Sequence, residues 1–120
     1  MADRSPLIAL GALNAAFAVA AGAFGAHALR ERLDARSLEI FETAARYQMY
    51  HALGILLCGV IATRSAATSG WILQAGIVLF SGSLYALALT GMKGLGAITP
   101  IGGLGFLVGW VYLAWSAWRG

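Results

Sequence analysis

Apolar residues fill this chain in four long runs, over residues 5–29, 47–63, 65–92 and 94–118, and none of these runs contains an Asp, Glu, Lys or Arg. A helix rises about 1.5 Å per residue and the hydrocarbon core of a bilayer is about 30 Å thick, so about 20 apolar residues suffice to cross it. The pattern predicts an all-α polytopic membrane protein. Its single domain, residues 1–120, is expected to be a bundle of four transmembrane helices at about residues 6–29, 46–63, 71–91 and 99–118.

The polar interval between the first two runs has a helical period. Leu38, Phe41 and Ala45 mark one face, and Arg36, Glu39, Glu42 and Arg46 mark the other. Glu42 and Arg46 form an i,i+4 pair in the favourable order. No Gly or Pro separates this interval from the second run, so an amphipathic interfacial segment starting near Ser37 should lead into the second helix. The charge-free part of that helix is at the lower limit for a span, with Arg46 and Arg64 placed to snorkel toward the headgroups. Ser, Thr and Ala at residues 64–70 read as a turn before Trp71, an interfacial aromatic. Gly94, Gly96 and Thr99-Pro100 read as the turn before the fourth helix.

Small residues mark the contact faces. Gly11, Ala15, Ala18, Gly22, Gly25 and Ala26 form a stripe along the first helix, and Gly105 and Gly109 form a GxxxG pair in the fourth. Such positions let backbones approach closely in lipid, where packing takes over from the hydrophobic effect. Trp110, Tyr112, Trp115, Trp118 and Arg119 read as an interface belt. The amino-terminal run reads as a retained helix rather than a leader, because Asp3 cancels Arg4 and the run exceeds a usual signal core.

Composition narrows the function classes. With 60% hydrophobic and 11% charged residues, no room remains for a soluble catalytic domain. The net charge of +3 comes from scattered residues at helix ends, not from a basic face, so nucleic acid is not an expected partner. The bilayer is. The lone Cys58 excludes an intramolecular disulfide. An even number of spans puts both termini on one side. Arg4, Arg64 and Arg119 lie on that side, against Arg30, Arg32, Arg36, Arg46 and Lys93 on the other, so the positive-inside rule predicts non-cytoplasmic termini.

Polar groups within spans are costly unless paired and are candidates for function. The principal cluster is His27 with Tyr47, Gln48 and His51, expected at similar depth where the first helix ends and the second begins. Asn14, Ser81, Ser83 and Thr99 are further intramembrane polar residues, with Asn14 expected to bond Ser81 or Ser83. No acidic residue lies deep in a span, which weighs against an ion-coupled carrier. Two histidines without a carboxylate or thiolate at matching spacing do not complete a zinc site, and no nucleophile–base pair or phosphate loop is present. No catalytic, metal-binding or cofactor-binding residue is assigned, and no cofactor is called for.

Four segments together resemble a known family: Gly22-Ala-Phe-Gly-Ala-His27, Phe41-Glu-Thr-Ala-Ala-Arg-Tyr-Gln-Met-Tyr-His51, Phe80-Ser-Gly-Ser-Leu-Tyr85 and Ile98-Thr-Pro-Ile-Gly-Gly103. They are similar, in order and spacing, to the YgdD-type group of small membrane proteins, a domain-of-unknown-function family that includes eukaryotic transmembrane protein 256. The family pattern maps onto Gly25, His27, Tyr47, Gln48, His51, Ser81, Gly82, Thr99, Pro100 and Gly102. The resemblance implies a four-helix bacterial inner-membrane protein and no particular reaction. The expected role is therefore a non-enzymatic accessory or interaction subunit, with a membrane-protein partner or a homo-oligomer as its assembly. The alternative is a minimal oligomeric channel or permease for a small solute. A metal or haem protein ligated by His27 and His51 is the third reading.

Overall fold

The computed structural model describes residues 5–120, which form helices joined by short turns. Helix α1 (Ser5–Val19) passes without a break into a π-helical turn (Ala20–Gly25) and the short α2 (Ala26–Leu29). The π turn falls on the sequence AAGAFG, whose mostly small side chains leave a widened turn uncrowded.

Asp34 is extended, and its carboxylate accepts the Ser37 amide at 2.7 Å, which starts α3 at Ala35. Helix α3 (Ala35–Ile61) then runs for 27 residues. The amphipathic segment is thus the first part of the second long helix, begun two residues before Ser37. It ends at Ala62, in the left-handed region at φ 64°. Thr63 follows at once as the cap of α4 (Arg64–Thr90), its hydroxyl accepting the Ala66 amide at 3.1 Å.

The expected turn over residues 64–70 is therefore corrected: those residues are the first two turns of α4. The small side chains that read as turn formers are contact residues. Ala66, Ser69 and Gly70 are buried, and a Cβ on Gly70 would lie 3.1–3.2 Å from Leu7 and Cys58. Gly91, at φ 72°, ends α4. A 3₁₀ turn (Lys93–Ala97) leads to α5 (Thr99–Arg119), with Pro100 in its first turn where the missing N–H costs nothing.

Helix α1 packs on α3, α3 on α4 and α4 on α5, in an up-and-down order. Glycines set the registers. A Cβ on Gly11 would lie 2.8 Å from the Ala52 oxygen and the Leu56 nitrogen, so the α1 and α3 backbones nearly touch. A Cβ on Gly102 would lie 2.7 Å from the Phe80 Cα. The GxxxG pair is spent inside the chain: Gly105 faces Gly76, and Gly109 receives Leu73. The main core joins Leu7, Ile55, Cys58, Leu73, Ile77 and Phe106, and a second one joins Ala21, Ala26, Phe41, Ala45 and Ala88.

These registers fix relative depth. Thr99, at the start of α5, is level with Ser83, since their hydroxyls lie 2.6 Å apart. Ser81, two residues deeper, donates to the Ala44 carbonyl at 2.8 Å. Arg46 on α3 therefore stands within about one turn of the level where α5 begins. Glu42 stands at about that level, and the first turns of α3, with Arg36 and Glu39, rise beyond it. The long axis is 49 Å, well beyond the about 30 Å of a hydrocarbon core.

Three helices are long and apolar enough to cross a membrane: Pro6–Leu29, Arg64–Thr90 and Lys93–Arg119. Four such spans were expected. Helix α3 has the length, but Arg36, Glu39, Glu42 and Arg46 occupy its first half. Its charge-free remainder, residues 47–61, rises only about 22 Å. Arg4, one of the residues in the topology count, lies outside the described residues.

Candidate functional site

The polar side chains within the bundle form a ladder across three helices. Tyr85 on α4 donates its hydroxyl to Gln48 Oε1 at 2.7 Å. Gln48 on α3 donates Nε2 to Asn14 Oδ1 at 3.0 Å. Asn14 on α1 donates Nδ2 to Gln74 Oε1 at 2.7 Å and to its own Leu10 carbonyl at 3.0 Å. Asn14 and Gln48 are buried. Each rung joins a different pair of helices, so the ladder fixes α1, α3 and α4 in one register.

Asn14 thus meets Gln48 and Gln74 rather than the serines expected for it. Ser81 instead holds the Ala44 carbonyl, while Ser83 bonds Thr99 and the Phe80 carbonyl at 3.0 Å. Sequence reasoning missed Gln74, although it is the one amide in the apolar run before Met92. Tyr85 is held from both sides by edge-on rings, Phe17 at 5.7 Å and Phe41 at 5.1 Å between centroids.

His51 belongs to a separate, aromatic layer. Its ring lies flat on Phe106, with centroids 3.5 Å apart and planes 4° apart. Its Nδ1 is 2.6 Å from the Tyr47 carbonyl oxygen. A carbonyl only accepts, so Nδ1 carries the proton and donates it. Tyr47 also packs on Phe80 at 4.9 Å. Trp110 lies over Gly54 and 6.0 Å from His51, so it caps this layer from α5 instead of serving in the interface belt. The belt reading fits Trp115 better, whose ring faces the Arg119 guanidinium at 4.8 Å.

The cluster expected around His27 is not assembled. His27 is exposed on α2, and Gly25, two residues before it, packs on Phe41. His51 is farther along α3 from that level by about 15 Å. The expected depth took the second span to start near residue 46, level with the end of the first helix, whereas α3 packs against that end about three turns earlier, from Ala35. Tyr47, Gln48 and His51 remain neighbours on α3 but divide between the aromatic layer and the ladder. Among the described residues no group of three or more His, Cys, Asp or Glu side chains is placed to hold a metal ion.

Amides neither take up nor release protons at ordinary pH, and here they bond one another from helix to helix. The ladder is suited to holding helices together, not to moving protons. Beside it the surface has shallow grooves. One of about 400 Å³ runs between α1 and α3, bordered by Ala18, Val19, Gly22, Ala23, Glu42 and Arg46. Another of about 370 Å³ is apolar and borders Phe17, Phe41, Tyr85 and Leu89.

The model of a family described as "Protein of unknown function (DUF423)" matches residues 21–103. A UPF0382 membrane protein of Staphylococcus saprophyticus is 55% identical over 109 residues, covering 88% of this chain and 91% of the relative. The UPF0382 membrane protein YwdK of Bacillus subtilis is 46% identical over 115 residues, covering 92% and 94%. No solved structure matches the chain.

Proposed function

The chain belongs to the DUF423 family of unknown function, whose relatives here are bacterial membrane proteins, and from that premise we propose that it is a four-span, non-enzymatic accessory or interaction subunit. The observation that supports this reading is the ladder Tyr85–Gln48–Asn14–Gln74. Buried polar groups in a catalytic or conducting protein converge on a cavity and keep valences free for a substrate. Here they bond one another between helices and rigidify a small scaffold.

The fourth crossing is α3. Its charge-free length is short, but Arg46 at one end is about one turn from the level where α5 starts, and Arg64 lies just past the other. Both can reach headgroups along their aliphatic stems. The basic residues at the α2–α3 and α4–α5 connections then face the cytoplasm, and both termini face away from it.

Purification of the tagged full chain from native membranes in mild detergent, followed by mass spectrometry, tests the role. A membrane protein recovered at a stoichiometric ratio is expected. A chain that purifies alone and conducts a small solute in proteoliposomes refutes the accessory reading and favours a channel.

A further inference from the structure

The groove between α1 and α3 combines a floor of small residues with a charged rim. Its floor is made of small residues, Ala18, Gly22 and Ala45, and two of its lining residues, Gly22 and Ala23, come from the π-helical turn. Its rim carries Glu42 and Arg46, and Met49 and Val19 continue it deeper along the two helices. The register given above places Arg46 within a turn of the level where α5 begins. The groove therefore straddles the boundary of the hydrocarbon, with its charged pair on the outer side and its apolar lining on the inner side. Below it, the exposed Leu53 extends the apolar surface along α3.

The geometry points to a phospholipid with an ethanolamine headgroup as the occupant of this groove, held at the Arg46–Glu42 pair. An arginine guanidinium presents forked N–H donors that match phosphate oxygens. A carboxylate one helical turn away accepts hydrogen bonds from a primary ammonium. Residues at i and i+4 have Cβ atoms about 5–6 Å apart, and two carbons separate the phosphate ester oxygen from the ammonium of ethanolamine. The two charges of the headgroup thus meet the two charges of the rim in order. An anionic headgroup would meet Arg46 but also the repulsion of Glu42. A choline headgroup lacks the N–H donors that Glu42 accepts. One acyl chain follows Val19 and Met49 over the floor, which lies open because Ala18, Gly22 and Ala45 are small. This inference rests on α3 entering the bilayer at Arg46. Reporter fusions at the termini test that premise independently of any lipid.

The test uses the purified full chain in detergent micelles with equal mole fractions of dioleoyl phosphatidylethanolamine, phosphatidylcholine or phosphatidylglycerol. Lipid retention is read by native mass spectrometry, and Tm by tryptophan fluorescence. Phosphatidylethanolamine is expected to be retained saturably and to raise Tm more than the other two. Arg46→Gln should weaken its apparent affinity about tenfold, the loss of one charge-assisted contact to phosphate. Glu42→Gln should abolish the preference over phosphatidylglycerol. Ala23→Leu, at an exposed position, should fill the groove and lower retention while leaving the lipid-free Tm unchanged. Equal effects of the three lipids overturn the headgroup assignment. Preference for phosphatidylethanolamine that survives Glu42→Gln and Ala23→Leu overturns the site, and both variants alter exposed residues that the fold does not need.

Discussion

Gln48 is the middle rung of the ladder, and Gln48→Leu removes its two bonds with little change in volume. The side chain is 6% exposed and bonds Asn14 at 3.0 Å and Tyr85 at 2.7 Å. Hydrogen bonds between membrane helices average about 0.6 kcal/mol and reach about 1.7. Two lost bonds, with the Asn14 oxygen and Tyr85 hydroxyl left seeking partners, give an expected cost of about 1–3 kcal/mol. Tyr85→Phe removes only the terminal bond and keeps the ring between Phe17 and Phe41, so it should cost about 0.6–1 kcal/mol. In the Gln48→Leu background that bond is already gone, and adding Tyr85→Phe should cost almost nothing. The coupling in the double-mutant cycle should then be about 0.5–1 kcal/mol. Reversible unfolding in mixed micelles, followed by tryptophan fluorescence, measures all four proteins. Strict additivity, or a Gln48→Leu variant as stable as the parent, would refute the ladder as a stabilising unit.

Four further outcomes are expected. Gly102→Ala forces a Cβ into the Phe80 backbone and should cost about 1–3 kcal/mol by overpacking, whereas Gly82→Ala meets nothing within 4 Å and should be neutral or stabilising by up to about 1 kcal/mol; thermal unfolding compares them. The Ser37 amide holds the Asp34 carboxyl below its usual range, so its capping contribution is present above the ordinary carboxylate pKa and is lost as pH falls through the lowered one; protection of the Ser37 amide relative to its intrinsic exchange should fall with that titration in the parent and stay flat in Asp34→Asn, whose side chain does not titrate. His51→Phe keeps the stack on Phe106 and gives up one bond to the Tyr47 carbonyl, so Tm should fall by the equivalent of about 1 kcal/mol, and a larger fall would show that the imidazole has a further partner. Periplasmic reporters fused after Gly120 should be active, and activity of a cytoplasmic reporter alone reverses the orientation.

Helix type and the short link before α5 could be read from the sequence because each depends on local composition. A run without charges, a proline in a first turn and a glycine at a positive φ act within a few residues. The boundary of α4 was not legible for a related reason. Ser65, Ala66, Ala67, Thr68, Ser69 and Gly70 have turn-like composition, and what makes them helical is a cap at Thr63 together with contacts to Leu7 and Cys58 on other helices. The same small side chains serve turns and close helix contacts, and composition alone does not separate the two uses.

Most of the ladder's polar residues, Gln74 apart, were legible as residues and not as a geometry. Gln48, Asn14, Ser81, Ser83 and Thr99 stood out as intramembrane polar groups, and each has a hydrogen-bond partner in the fold. Their pairing depends on register, and register is set where backbones touch, at Gly11 on α3 and at Gly102 on α4. Once Gly25 rests on Phe41, His27 is committed to the outer end of α3 and His51 to its interior, however similar their distances from the ends of the apolar runs. The same register bears on the proposed fourth span. A helix with only about 22 Å free of charge can cross if the bilayer thins locally or if its flanking arginines reach outward, each at a fraction of a kcal/mol per Å. Helix α3 has Arg46 and Arg64 at the two ends of that stretch and lies between the longer apolar run Pro6–Leu29 and α4. Its mismatch therefore falls on the two outer faces where lipid reaches it, and one of these is the groove rimmed by Glu42 and Arg46. On the proposed four-span reading, a headgroup drawn inward at that rim would relieve the mismatch at the place where it arises, so the charge that disqualifies α3 as a simple apolar span would be the charge that lets it cross.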